Sequence, residues 1–403
     1  MATKTLQAID TKEFEAAHGE MDSLMREMDS RFIQRNQEIL ILFVAIIARK
    51  NVFFGGPPGV AKTALTSAFG KALGLDFFTY LIRKDTTQEE LFGPYDLPLL
   101  KKGQYKRILT NRLGQCQVAL LDEIWKGSSG ANNSILTAIN EKQYDNGTCG
   151  RIDIPLQMVM ACSNELPQSD DLHALWDRFL FRRWVTPLQD RADRLRLMAM
   201  KRKGETIEVH NTLSPAGLEC LRNAAENVDY SPIEELLCDV LEELGRQHAI
   251  EVSDRSLVNI IDALCAYAVV QGRMVCEPTD LLLLADIIVA DPEVDHPKVL
   301  NCVAKLVSPD LEAAMKLHDA AVEIYANGIE VLDPRTGDMI RRNVEQASAI
   351  GDSGALGAIN SELKKIVKEL QKLGQSGQVE GLSDKIAAMQ LKVARIAREA
   401  LGI

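Results

Sequence analysis

The stretch from Asn51 to Thr63, NVFFGGPPGVAKT, constrains this chain more than any other. It reads as a short apolar strand, a Gly/Pro-rich turn, then a lysine and a threonine that open a helix. A phosphate-binding loop needs that order of parts. Backbone N–H groups in the turn aim at phosphate oxygens, and the helix N-terminus adds favourable partial charge. Gly56, Pro57, Pro58, Gly59, Val60, Ala61 and Ala64 would line the loop, with Lys62 reaching the β- and γ-phosphates and Thr63 holding Mg2+. Ala61 is off-pattern, because the usual loop has glycine before the lysine. A Cβ there argues that the position does not need a positive φ. In isolation, a Gly/Pro turn feeding an ordinary helix would read similarly, so the rest of the chain decides.

Four later features fit the same chemistry. Val118–Glu123 (VALLDE) is an apolar strand ending in two carboxylates, about sixty residues after the loop. Asp122 would support Mg2+ and Glu123 would polarise an attacking water; a strand ending in solvated acids is the alternative. Met158–Asn164 (MVMACSN) ends in Asn164, which could touch a γ-phosphate or orient water, or simply form a turn. Arg178, in LWDRF, is planar, always charged and suited to phosphate, and in a ring of subunits could serve a neighbour's site; its alternative is a salt bridge, for instance to Asp177. Arg255 follows Ser253-Asp254 at a helix start and could fold onto the nucleotide, or lie on the surface.

The 403 residues allow two or three domains with cores of their own. A net charge of −11 argues against a protein that wraps nucleic acid, since neutralising phosphates dominates such binding. The eight cysteines form no C-x-x-C pair, which fits reduced thiols in a cytoplasmic protein. The first thirty residues are polar and charged, unlike a signal peptide. The most apolar run, Ile39–Ala48, is too short for a membrane span, which takes about 20 residues, and reads as a buried helix.

Apolar runs at Asn51–Phe54, Phe77–Ile82, Val118–Leu121, Met158–Ser163 and Phe179–Val185 alternate with helical stretches, as in an α/β fold whose parallel sheet is covered on both faces. Two inserts interrupt them. Pro94–Leu109 reads as a hairpin with a basic tip at Lys101-Lys102-Gly103, and Gln143–Ile154 as a hairpin turning at Asp145-Asn146-Gly147. From about Asp190 the pattern is helical, with helices at Ser231–His248, Ser253–Gln271 and Asp280–Ala290. Ile329–Asn343 reads as a hairpin, Gly351–Gly357 as a linker, and Ser361–Leu373 and Ser383–Leu401 as an amphipathic helical pair joined by GQSGQVEG. The boundaries expected are 1–188 for the α/β domain, 189–305 for an all-α domain and 306–403 for a mainly helical region with a small hairpin.

Together GPPGVAKT (56–63), TTQEELFGP (86–94), LLDEIWKG (120–127), LTAINEKQYDNG (136–147), SNELP (163–167), LWDRFLFR (175–182) and VSDRS (252–256) resemble the MoxR family of AAA+ ATPases, and within it the RavA-type proteins. The likeness spans roughly residues 30–305, and Ala61 belongs to RavA-type loops. It implies an AAA+ module with a five-stranded parallel sheet, an all-α lid, and ATP and Mg2+ as ligands. Lys62 and Thr63 then look like the Walker A pair, Asp122 and Glu123 the Walker B pair, Asn164 sensor 1, Arg178 a trans-acting finger and Arg255 sensor 2. Inserts 94–109 and 143–154 are similar to the helix-2 insert and the pre-sensor-1 hairpin. The family also implies a hexameric ring, chaperone-like remodelling of a protein client, and a partner with a von Willebrand factor A domain. RavA-type proteins carry a sizeable inserted domain in their C-terminal helical region, and here there is room only for the 329–343 hairpin. A nucleic-acid motor and a nucleotide-controlled assembly scaffold are the alternatives. Lys101, Lys102, Lys106 and Arg107 are the local support for the first.

Overall fold

A computed structural model describes residues 10–332, 339–373 and 377–401. The chain divides into two compact units, Met1–Leu300 and Asn301–Ile403.

The first unit opens with helix α1 (Thr11–Arg31), whose N-terminus is capped by Asp10 accepting from the Lys12 N–H at 2.9 Å. Met21, Leu24 and Met28 recur at helical spacing and are buried. Helix α2 (Asn36–Ala48) is apolar nearly all round and correspondingly buried; Arg49, in left-handed backbone, ends it and sends the chain into strand β1 (Asn51–Gly55). Helix α3 (Lys62–Ala72) follows the Gly/Pro loop and leads to β2 (Phe77–Leu81). After two short helices, α4 (Gln88–Phe92) and α5 (Leu97–Leu100), come β3 (Val118–Asp122) and α6 (Ser129–Glu141). A small antiparallel pair, β4 (Gln143–Asp145) and β5 (Arg151–Asp153), precedes β6 (Met158–Ser163), α7 (Asp170–Trp176) and β7 (Phe179–Trp184).

The main sheet has the order β2-β3-β6-β1-β7 and every pairing in it is parallel. All strands therefore end on the same edge. β1, β3 and β6 are adjacent, so the segments that follow them converge there, as ligand-binding loops do in open parallel sheets. Core strands β1 and β6 are buried throughout, which is why they read as unbroken apolar runs. One face of the sheet carries Phe53, Trp125, Trp176 and Phe179, with ring centroids 4.9–6.3 Å apart.

A helical region completes this unit: α8 (Arg191–Lys203), α9 (Pro215–Ala225), α10 (Glu234–His248), α11 (Asp254–Val270) and a 3-10 helix, Pro278–Asp286. α11 packs on α2 and α9. Helix α12 (His296–Val307) spans the division between the units. In the second unit, α13 (Pro309–Asn327), α15 (Ser353–Leu370) and α16 (Gly377–Leu401) pack on one another, with the antiparallel pair β8 (Ile329–Leu332) and β9 (Met339–Arg342) and short helix α14 (Val344–Ala349) between α13 and α15 in sequence.

Four local expectations need correction. The 94–109 insert is not a strand hairpin. Asp96 accepts from the Leu99 N–H at 3.2 Å and Pro98 sits in the first turn, so LPLL winds into α5, and a single antiparallel bridge, Tyr95 to Arg107, closes the insert. The 143–154 insert is the expected hairpin, and its connection holds a 3-10 turn, Gly147–Cys149. The helix expected at Asp280–Ala290 is 3-10 and ends at Asp286. Gly351–Gly357 is no linker, because Asp352 caps α15 by accepting from the Ala355 N–H at 3.0 Å and the helix starts at Ser353. Likewise α16 starts at Gly377, inside the stretch read as a joint. The tip of the 329–343 hairpin lies outside the described residues.

Candidate functional site

The turn after β1 depends on glycine at two points. Gly56 has φ +140°, and a Cβ there would lie 2.3 Å from the Val185 carbonyl oxygen, where β7 passes. Gly59 has φ +84°, with open space in its Cβ direction, so its backbone conformation rather than crowding calls for glycine. Ala61 is the surprise. Its φ is +69°, left-handed, although its Cβ argued against a positive φ. It caps α3 without any side-chain hydrogen bond, leaving the N–H groups of the first turn open to a ligand.

Lys62 is buried. Its Nζ donates to Gly56 O at 2.5 Å, Pro57 O at 2.9 Å and Asn164 Oδ1 at 3.0 Å. Burial lowers its ammonium below the ordinary lysine range, while Cys162, Asp122 and Glu123 pull the other way. Thr63 Oγ1 donates to Asp122 Oδ2 at 2.9 Å. Asn164 Nδ2 donates to Glu123 Oε1 at 2.8 Å, and the Glu123 N–H to Asp122 Oδ1 at 3.0 Å. Lys62, Thr63, Asp122, Glu123 and Asn164, far apart in sequence, thus form one hydrogen-bonded cluster on the C-terminal edge of three adjacent strands.

Glu123 departs from regular strand geometry. Its φ is +54°, and such outliers persist where the surroundings fix them, often at functional sites. Its Oε2 is buried without a hydrogen-bond partner among the described residues, though Lys126 Nζ forms an ion pair with it at 3.1 Å. Sequence reasoning passed over Lys126; its place three residues after Glu123 was the available signal. It also passed over Arg35, which is buried and braces the loop by donating to Val60 O at 3.3 Å and Thr186 O at 2.9 Å. No local pattern marks that residue.

Arg178 and Arg255 do not join this cluster. Both line a cavity of 930 Å3 at the opposite end of β1, together with Lys50, Asn51 and Lys142. The length of β1, about 16 Å for five residues, separates this cavity from the phosphate loop. Within one chain Arg255 therefore does not fold onto the loop, contrary to the expectation from its sequence. The reason is the anchoring of α11: Lys50, just before β1, donates to Asn259 Oδ1 and Asp262 Oδ2, each at 2.7 Å. Arg178 is not paired with Asp177, whose ion-pair partner is Arg182 at 3.7 Å. Its Nε is buried without a hydrogen-bond partner among the described residues. Asn51 holds its backbone by donating to Arg178 O at 2.9 Å. The neighbouring arginines are committed elsewhere. Arg182 donates to Phe179 O, Trp176 O and Val289 O and lies 4.5 Å from the Trp176 ring centroid. Arg183 pairs with Glu38 at 3.1 Å and Asp286 at 2.7 Å.

Comparison with known proteins bears on the family and the fold. Residues 19–223 match the family model described as the MoxR domain in MoxR-vWA-beta-propeller ternary systems, and residues 232–302 match an AAA lid domain. The uncharacterized protein MJ0079 of Methanocaldococcus jannaschii is 33% identical over 269 residues, covering 66% of this chain and 69% of that protein. The uncharacterized protein YeaC of Bacillus subtilis is 24% identical over 305 residues, covering 73% of this chain and 92% of that one. A crystal structure of a proposed ATPase from Cytophaga hutchinsonii shares the fold, with a TM-score of 0.60, 20% identity, and coverage of 74% of this chain and 97% of the other.

Proposed function

Because the chain belongs to the MoxR family of AAA+ ATPases, we propose that it hydrolyses ATP at interfaces between its own copies and uses the cycle to remodel or activate a partner protein. One observation carries this reading. The phosphate-loop cluster and the Arg178–Arg255 cavity occupy opposite ends of one sheet, so a complete site needs two copies stacked head to tail. Such heterologous contacts close into rings when the rotation allows, and a hexamer is the assembly that the family resemblance favours. The model description supports a partner with a von Willebrand factor A domain. Among the described residues no helix is long and apolar enough to cross a membrane. A cytoplasmic location belongs to the same proposal, since thiols such as the free cysteines here stay reduced there.

The residues present fit a nucleotide with Mg2+. The α3 N-terminus is open, and the Thr63 hydroxyl and Asp122 carboxylate, 2.9 Å apart, offer the hard oxygen ligands that Mg2+ prefers. When bound, the ion neutralises charge on the β- and γ-phosphates. Lys62 leaves its loop carbonyls to contact those oxygens. Glu123 orients water and accepts its proton, and Asn164 fixes the Glu123 carboxylate. Arg178 and Arg255 of the adjoining copy stabilise charge on the transferring phosphoryl group.

The test is Glu123→Gln, which keeps the side chain's shape and removes the base. ATP binding should persist while turnover falls about 100-fold or more. Turnover within twofold of the unmodified protein would sink the assignment.

A further inference from the structure

We propose that Lys142 is a third trans-acting cation of the Arg178–Arg255 cavity and contacts the terminal phosphate of a nucleotide held by the next copy. The proposal rests on the interface reading above.

Lys142 follows α6 in left-handed backbone, φ +52°, and its carbonyl accepts from the Ile154 N–H at 2.8 Å. The chain therefore turns sharply there into β4, and the side chain lines the 930 Å3 cavity with Arg178 and Arg255. The charges around that cavity can be paired off. Lys50 is engaged by Asp262 at 2.7 Å, Arg49 by Glu219 at 3.3 Å, and Asp177 by Arg182 at 3.7 Å. Glu141 is engaged by Arg151 at 2.6 Å, and Asp153, on the strand beside β4, accepts from Gln143 at 2.9 Å. Lys142, Arg178, Arg255 and one acid, Glu251, have no ion pair among the described residues. Three cations against one carboxylate make a receptor for a polyanion, and a triphosphate end has the charge to match.

Burial, with Lys50 adding to it, pushes the Lys142 ammonium down to about 8. Its charge is present below that pH and is lost as pH rises through it. Burial also lowers Arg182, to about 10, but its guanidinium is tied to backbone carbonyls. If Lys142 meets phosphate, kcat/KM for ATP must decline above pH 8, because that quantity reports groups of the free protein.

The experiment compares ATP turnover of Lys142→Asn, Lys142→Arg and Arg178→Ala with the unmodified protein between pH 6.5 and 9.5. Asparagine tolerates left-handed backbone, so Lys142→Asn removes the charge while keeping the turn, and a thermal melt checks this. Lys142→Asn should lower kcat about 100-fold. Lys142→Arg should restore most of the activity and abolish the decline above pH 8. Three results overturn the inference: unchanged kcat in Lys142→Asn, equal damage in Lys142→Arg, or a decline above pH 8 that Lys142→Arg retains. Loss of activity in Arg178→Ala beside a fully active Lys142→Asn would leave the interface reading standing and remove Lys142 from it. An unaffected Arg178→Ala would instead remove the interface reading itself.

Discussion

Ala61 and Glu123 stand in left-handed backbone at either side of the candidate phosphate site. For an L-residue that conformation costs about 1–2 kcal/mol. At Ala61 the consequence is testable. In an ordinary helix, alanine to glycine costs about 1 kcal/mol. Ala61→Gly removes the left-handed penalty instead, so chemical denaturation should show unchanged stability or a gain of up to about 1 kcal/mol. A loss near 1 kcal/mol would mean that Ala61 is not left-handed. The residues of the cluster were legible because each sits in a short motif, Lys62 and Thr63 at a helix start and Asp122, Glu123 and Asn164 at strand ends. The Ala61 conformation was not, since the Cβ argument points the other way. Arg255 was misplaced for a different reason. A helix start fixes what the residue is, while the anchoring of α11 by Lys50 fixes where it goes, and that contact joins residues more than 200 apart.

At the scale of elements, the end of β7 is tied to the helical region by a buried ionic cluster. Arg183, level with Phe54 of β1, meets Glu38 of α2 and Asp286 at the end of the 3-10 helix, and Gln37 donates to the same Asp286 carboxylate at 2.8 Å. Burial alone would raise the Asp286 carboxyl, but Arg183 and His296 outweigh it and bring it down to about 2. Its contribution is therefore complete above the unfolded carboxylate range, near pH 4, and is lost as pH falls through about 2. Asp286→Ala leaves a buried guanidinium short of a partner and should cost about 3–5 kcal/mol in denaturant melts at neutral pH. A loss below 1 kcal/mol would show that the cluster does not hold the lid. None of this network was visible in the sequence, where no local pattern ties Arg183 to Glu38 or Asp286. The central strands β1, β3 and β6 were visible because burial on both faces leaves continuous apolar runs. LPLL was not resolved, since short apolar runs suit strand or helix alike, and Asp96 with Pro98 decided it.

For the whole molecule, the arrangement separates two half-sites along one sheet. On the proposed mechanism the loop cluster holds and activates the nucleotide, and the cavity with Arg178, Arg255 and Lys142 supplies positive charge to another copy. Subunit contact would then gate the chemistry, because phosphoryl transfer depends almost entirely on positioning and charge stabilisation. The direct test mixes two disabled proteins. Lys62→Ala lacks the loop lysine but keeps Arg178; Arg178→Ala keeps the loop and lacks the finger. Each alone should hydrolyse ATP at about 1% of the normal rate or less. Mixed and allowed to reassemble, they should regain activity, because some interfaces then pair an intact loop with an intact arginine. A mixture as inactive as its components, or full activity in Arg178→Ala alone, would contradict a site shared between copies.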